Sequence, residues 1–285
     1  MRSPKALVCL ALVVALAACG GAPSSVFHSA GYYVRGESVY YLNAFPGDAV
    51  KISGADAKSF TILDTTYAKD KRGVYLDGSP LAEADPASFV LLARPDYAKD
   101  SGHVFLRDRV LTTDTAHFGF TGGGLTKDSA HVYWSDGTVL SDDPGHFKVL
   151  SDADHYLYVE DSRTVYVNGN AIKGADPASF RVVRGAYATD ADHVYYFDGS
   201  VADADAVTFK VLAEPYARDA AHAYWMGKVI PGADPSSFVV LNASFECTAD
   251  AAHAFYENVQ IEGFDPSTIP HGATVNNCSD TSLSY

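Results

Sequence analysis

The chain has 285 residues, 47% of them hydrophobic and 12% aromatic, with 35 acidic side chains against 21 basic ones and a formal charge of −14. So negative a field repels phosphate backbones and anionic headgroups, which excludes nucleic acid as a partner. Divalent cations and basic protein surfaces remain compatible with it, as does a purely solubilising role.

The first residues carry Arg2 and Lys5 and are followed by an unbroken apolar run from Ala6 to Ala18. That run is too short to cross a bilayer, which takes about 20 residues. A charged start, a short apolar stretch and small residues at its end predict a signal peptide over 1–18. Its end, Leu16-Ala17-Ala18-Cys19-Gly20, resembles the lipobox of bacterial lipoproteins. The resemblance implies cleavage before Cys19 and lipidation of its thiol, with three acyl chains, palmitate among them. One chain alone gives only marginal membrane binding, whereas three suffice for an anchor. Residues 19–30 then read as the lipidated end and a flexible tether, rich in Gly, Ala, Pro and Ser up to Ser25. Gly20 stands where an Asp would mark inner-membrane retention, so the expected place is the cell envelope, anchored to the outer membrane and facing the periplasm or the surface. Loss of Arg2 and Lys5 with the signal would leave the mature chain at −16.

From about residue 31 to 269 the chain repeats itself. A block of the form Ala-Asp-Pro-x-Ser-Phe recurs with its aspartate at Asp56, Asp85, Asp114, Asp143, Asp176, Asp205, Asp234 and Asp265, mostly 29 residues apart. Four residues after each comes an apolar side chain, Phe60, Phe89, Phe118, Phe147, Phe180, Phe209, Phe238 and finally Ile269. A second block, Tyr-Ala-Lys-Asp followed by Val-Tyr, alternates with it. Its aspartates are Asp70, Asp100, Asp128, Asp161, Asp190, Asp219 and Asp250, each with an aromatic five residues on, from Tyr75 to Phe255. A degenerate first copy has Arg35 in the aspartate position, as capping repeats are atypical.

In the first block the aspartate suits a helix N-cap and the proline suits the first helical position, which predicts one short helical turn that drops its Phe into the core. In the second, two β-prone stretches flank a polar corner and read as a hairpin. Asp198-Gly199 predicts a further two-residue turn. No 29-residue unit could bury its Phe, Val and Tyr alone, so neighbours must stack. The expected fold is mainly β: about eight tandem β-hairpin repeats over 31–269, each with one short helical turn, in an elongated solenoid-like array. A closed propeller-like array is the alternative, although propeller blades commonly take about 40 residues. Residues 270–285 are left as a C-terminal tail or cap.

These blocks, seen most fully at Tyr67 to Tyr75 and echoed at Tyr97 to Phe105 and Tyr187 to Tyr195, resemble the DKNYY repeat family of bacterial envelope proteins. The resemblance covers roughly Tyr32 to Ile269 and implies tandem repeats and an envelope setting. It carries over no catalytic or binding residue, and this chain departs from the pattern in the alanines Ala68, Ala98 and Ala188.

Of four cysteines, Cys9 leaves with the signal and Cys19 is lipidated, so Cys247 and Cys278 form an even pair in an oxidising compartment and are expected to be bridged. Cys247 occupies the slot that Tyr216 fills one repeat earlier. A loop of about thirty residues closed in this way contributes about 3 to 4 kcal/mol in the chain-entropy picture.

Several constellations suggest sites. His103, His131, His193, His222 and His253 each stand three residues after a repeat aspartate, so stacked repeats could align them in a metal-binding ladder. The bland reading is a His that packs over the next strand or bonds its turn aspartate, and the copies at Asp70 and Asp161 lack the His. Asp152-Ala153-Asp154, Asp190-Ala191-Asp192 and Asp203-Ala204-Asp205 could offer oxygens to calcium, but no EF-hand order accompanies them. Capping and turn formation explain them as well. Gly119-Phe120-Thr121-Gly122-Gly123-Gly124 lacks the Lys-Ser/Thr of a phosphate loop and reads as a bulge or loop. Neither Gly-x-Ser-x-Gly, Ser-x-x-Lys nor His-Glu-x-x-His occurs, so no enzyme and no cofactor is expected. Trp134, Trp225 and Tyr196 each follow a repeat aromatic and by strand alternation point to the opposite face, with Tyr41. That face is either a binding surface or a second packed face. The leading expectation is a non-enzymatic scaffold or binding module for envelope protein partners; the alternatives are a divalent-metal-binding protein and a hydrolase with an unrecognised site.

Overall fold

The computed structural model describes residues 29–43 and 47–285. The predicted signal peptide, Cys19 and nearly all of the tether lie outside the described residues. The described strands form nine small antiparallel sheets, seven of them four-stranded, in simple meander order. There is no closed barrel among them. The chain divides into two compact units, 1–115 and 116–285. The first holds a three-stranded sheet (31–51) and two four-stranded ones (61–81 and 90–112); the second holds five four-stranded sheets and a terminal pair, Asn277–Ser279 with Ser282–Ser284.

One sheet stands for the rest. Arg181–Arg184 pairs with Tyr187–Thr189, which pairs with Val194–Tyr196, which pairs with Gly199–Ser200. Four strands fit into a short repeat because most are only two to five residues long, well below what a propeller blade uses. Asp190 and its followers form the polar corner. The second turn is shifted by one residue from the Asp198-Gly199 expectation: Tyr196 pairs with Gly199, so Phe197 and Asp198 make the turn, with Phe197 at φ 55°. Register is set by Tyr196 docking on the next repeat, and that overrides the local Asp-Gly preference. The Asp-Pro block is one hydrogen-bonded turn in most copies, closed for example by Ser59 N–H on Asp56 C=O at 3.1 Å, and a 3₁₀ helix only at Pro266–Thr268.

Strand alternation divides each sheet between two cores. Tyr187 and Val194 join Ala217 and Tyr224 of the following sheet, whereas Ala188 and Tyr195 join Tyr158 and Val165 of the preceding one. Both faces are therefore buried. This explains the alanines: Ala68, Ala98, Ala188 and Ala217 are fully buried where one sheet backs closely onto its neighbour. The repeat Phe side chains wedge between consecutive sheets, and Phe180 lies 6.0 Å from Tyr158 and 5.9 Å from Tyr195, ring centre to ring centre. Such aromatic pairs each add about 0.5 to 1.5 kcal/mol beyond the area they bury.

Candidate functional site

The most concentrated polar chemistry lies at the aspartates of the second block, from Asp70 to Asp250, all of which are nearly inaccessible to solvent. Asp219 is typical. Its Oδ1 accepts the backbone N–H groups of Ala221 at 2.8 Å and His222 at 2.6 Å, closing the corner. Its Oδ2 accepts the Tyr224 hydroxyl at 2.6 Å and the N–H of Asp205 at 2.9 Å. Asp190 repeats the pattern with Asp192, His193, Tyr195 and Asp176, and Asp70 with Arg72, Gly73, Tyr75 and Asp56. Burial by itself would raise these carboxyls, but four donors to one carboxylate outweigh it and hold Asp70, Asp190 and Asp219 below the ordinary range. The partner Tyr75 phenol is pushed up to about 12, first by burial and then by its bond to Asp70.

The second aspartate extends the lattice. Asp205 Oδ1 accepts Val207 N–H and its Oδ2 accepts the Thr208 hydroxyl at 2.6 Å, while Thr208 Oγ1 accepts Ala220 N–H at 3.1 Å. The two motifs, far apart in sequence, are thus two halves of one hydrogen-bonded corner.

A tyrosine ties several of the repeats to the next. Tyr187 Oη donates to Pro215 C=O at 2.8 Å and accepts Gly227 N–H at 3.0 Å. Tyr32 does the same with Thr66 C=O and Gly78 N–H. Tyr216 Oη donates to Glu246 C=O at 2.7 Å. In Tyr158 the same hydroxyl is buried and has no hydrogen-bond partner. At the last junction Cys247 replaces the tyrosine and bonds Cys278, with 5.6 Å between Cα atoms. Cys278 follows Ile269 by nine residues, as Cys247 follows Phe238, so it stands in the same slot of a truncated ninth copy. A covalent link thus takes over from the hydroxyl where the array ends.

Each sequence-predicted residue can now be placed. The five histidines serve their own repeats: the Nδ1 atoms of His103, His131, His193, His222 and His253 lie 3.3 to 4.0 Å from the Oδ1 of their own aspartates. Each ring packs on the aromatic two residues on, as His193 does on Tyr195 at 6.1 Å. Among the described residues no group of three or more His, Cys, Asp or Glu side chains converges to hold a metal ion. Of the calcium candidates, Asp190 and Asp205 belong to the lattice, Asp203 sits in a left-handed turn at φ 57°, and Asp152, Asp154 and Asp192 are exposed. Gly119 and Phe120 form a strand and the remaining glycines a loop, in which a Cβ on Gly123 would come within 2.5 Å of Leu157.

Trp134, Tyr196 and Trp225 are half-buried on the face turned to the following sheet, beside the cores around Leu125, Tyr187 and Tyr216. Tyr196 Cβ would be 2.6 Å from a Cβ on Gly227, and Trp134 lies 3.3 Å from one on Gly169. The Tyr196 and Trp134 rings cover turn glycines of the next repeat, and Trp225 packs against the core around Tyr216. The only trace of the tyrosine-to-turn bonds in the sequence is the recurrence of Tyr three residues before five of the seven aspartates of the second block.

A family model described as the DKNYY family matches residues 32–199 and, overlapping, 126–259. No curated protein and no solved structure matches the chain.

Proposed function

This chain belongs to the DKNYY family, and from that premise we propose that it is a non-enzymatic repeat scaffold of the bacterial cell envelope, lipid-anchored through Cys19, that binds protein partners. The observation that carries the reading is that the recurring Asp and Tyr side chains and the Ser and Thr hydroxyls are engaged in the hydrogen-bonded corners and junctions, with the histidines set against their own aspartates. A residue whose lone pairs and protons are already satisfied by backbone is a poor nucleophile or ligand. What the repeats multiply instead is surface, the means by which repeat proteins recognise others. The Leu16 to Gly20 lipobox and the Gly/Ala/Pro/Ser stretch behind it support an outer-membrane anchor with a tether.

The test is in-cell crosslinking and pull-down of the full lipoprotein against a Cys19→Ser version, read by mass spectrometry. A specific envelope protein captured by the native chain and lost in the variant is the expected result. Repeated recovery of no envelope protein from either would sink the proposal.

A further inference from the structure

We infer that the second unit carries a docking row for an extended acidic polypeptide, formed at one repeated rung of four consecutive sheets by Lys127 from the second strand and by Lys148, Arg181 and Lys210 from the first. The inference rests on the reading of the chain as a binder of proteins and names the class of segment it takes.

The position is the rung joining the first two strands of each sheet. The pairs there are Gly119 with Lys127, Lys148 with Glu160, Arg181 with Thr189, and Lys210 with Arg218. The four sheets follow one another through shared cores, so the rungs are neighbours. All four named cations are exposed. Arg181 Nε donates to Thr189 Oγ1 at 2.9 Å, which holds the guanidinium against its sheet. Lys210 borders a cleft of about 260 Å³ together with Arg218, whose guanidinium caps the carbonyls of Pro235 and Ser236 in the next turn.

A cationic row is unexpected in a chain of charge −14. Two carboxylates beside it are already engaged. Asp219, which also borders the cleft, is buried with both oxygens bonded, and the buried Glu160 pairs with Lys148 at 3.2 Å. Screening reduces the reach of the remaining acidic field to about 8 Å at physiological salt, so a segment in contact with the row responds to the row.

The spacing selects the occupant. Packed sheets lie about 10 Å apart and an extended chain advances about 3.3 Å per residue, so the cations meet about every third residue of a bound segment. A segment of about nine residues spans all four sheets. A polyphosphate carries its charges more densely than the row can neutralise, and the rest of the protein repels the excess.

The experiment titrates the purified full-length chain into a labelled peptide of repeated Glu-Thr-Ser, followed by fluorescence anisotropy. A second peptide of equal composition has its glutamates in one block, and polyphosphate of equal charge serves as competitor. Saturable, salt-sensitive binding of the spaced peptide is expected, and the triple variant Lys127→Gln, Arg181→Gln, Lys210→Gln should bind about tenfold more weakly. The single change Lys210→Glu should act in the same direction should the triple variant fold poorly. No saturable binding, equal binding by the variants, or a preference for the blocked peptide or polyphosphate would overturn the row. If the triple variant still captures the same crosslinked envelope partner, the scaffold reading stands and only this docking row fails.

Discussion

Replacing Asp219 by alanine removes one carboxylate that holds four donors, and the loss can be worked out donor by donor. The N–H groups of Ala221 and His222 sit at the outer corner, where water can reach them. The Tyr224 hydroxyl, on a ring that is 0% exposed, keeps only the long contact to His222 Nδ1 at 3.4 Å, and the part-buried N–H of Asp205 loses its partner. Stranding a buried polar group costs about 1 to 3 kcal/mol, so the two together amount to about 4 kcal/mol, a large fraction of the stability of an ordinary domain. Urea unfolding followed by circular dichroism measures this, with Asp192→Ala as a control that should stay within about 0.5 kcal/mol because its side chain is exposed. The damage should be local first: amide exchange ought to accelerate in Tyr216–Arg218 and Ala223–Trp225 and in the turn after Asp205, because stability in repeat arrays is transmitted between neighbours. A loss below about 1 kcal/mol would mean that water enters the corner freely and that the carboxylate is not what joins the two motifs.

Acid should unfold the chain steeply. Asp70, Asp100, Asp161, Asp190, Asp219 and Asp250 all titrate lower when folded than when unfolded, because donor hydrogen bonds outweigh burial. The unfolded chain therefore binds more protons as pH falls through about 4, and the stability present above that pH is lost below it, which a pH series of urea midpoints will show. Tyr187→Phe should cost about 1 to 2 kcal/mol by stranding Gly227 N–H, whereas Tyr158→Phe, which removes a hydroxyl without a partner, should be neutral or stabilising. Equal losses at the two sites would disprove the tyrosine tie. Glu83 and Asp203 hold left-handed backbone at φ 62° and 57° in the turn position where Gly54, Gly174, Gly232 and Gly263 stand in other copies. Glu83→Gly and Asp203→Gly should each raise stability by about 0.5 to 1 kcal/mol in the same urea assay. The double change Cys247→Ala, Cys278→Ala opens a loop with a sequence separation of 31. It should lower stability by about 3 to 4 kcal/mol and remove amide protection from Asn277–Ser279 and Ser282–Ser284 before any other strand.

Much of this molecule was legible in its sequence because the repeat writes each structural demand many times over. The phase of Asp56, Asp85 and their successors, the Phe four residues on, and the Tyr-Ala-x-Asp blocks specify where corners, wedges and strands fall, since each answers to local chemistry: an N-cap, a β-prone run, a polar turn. The pairing of Cys247 with Cys278 was legible in the count of cysteines left once Cys9 and Cys19 were assigned to the expected signal peptide and lipobox. Sequence alone could not decide what a given side chain meets beyond its own turn, because that depends on how separate strands and sheets come together. Asp219 reads as a turn residue, yet its second oxygen belongs to Asp205 and Tyr224. Tyr187 reads as core, yet its hydroxyl reaches Pro215 and Gly227. Alternation sets Trp134, Tyr196 and Trp225 on the face opposite the repeat aromatic, but whether that face met solvent or protein was a tertiary question, answered for Trp134 and Tyr196 by glycines in the following turn. The same holds for the turn at Phe197-Asp198, where local propensity favoured one register and packing between repeats chose another.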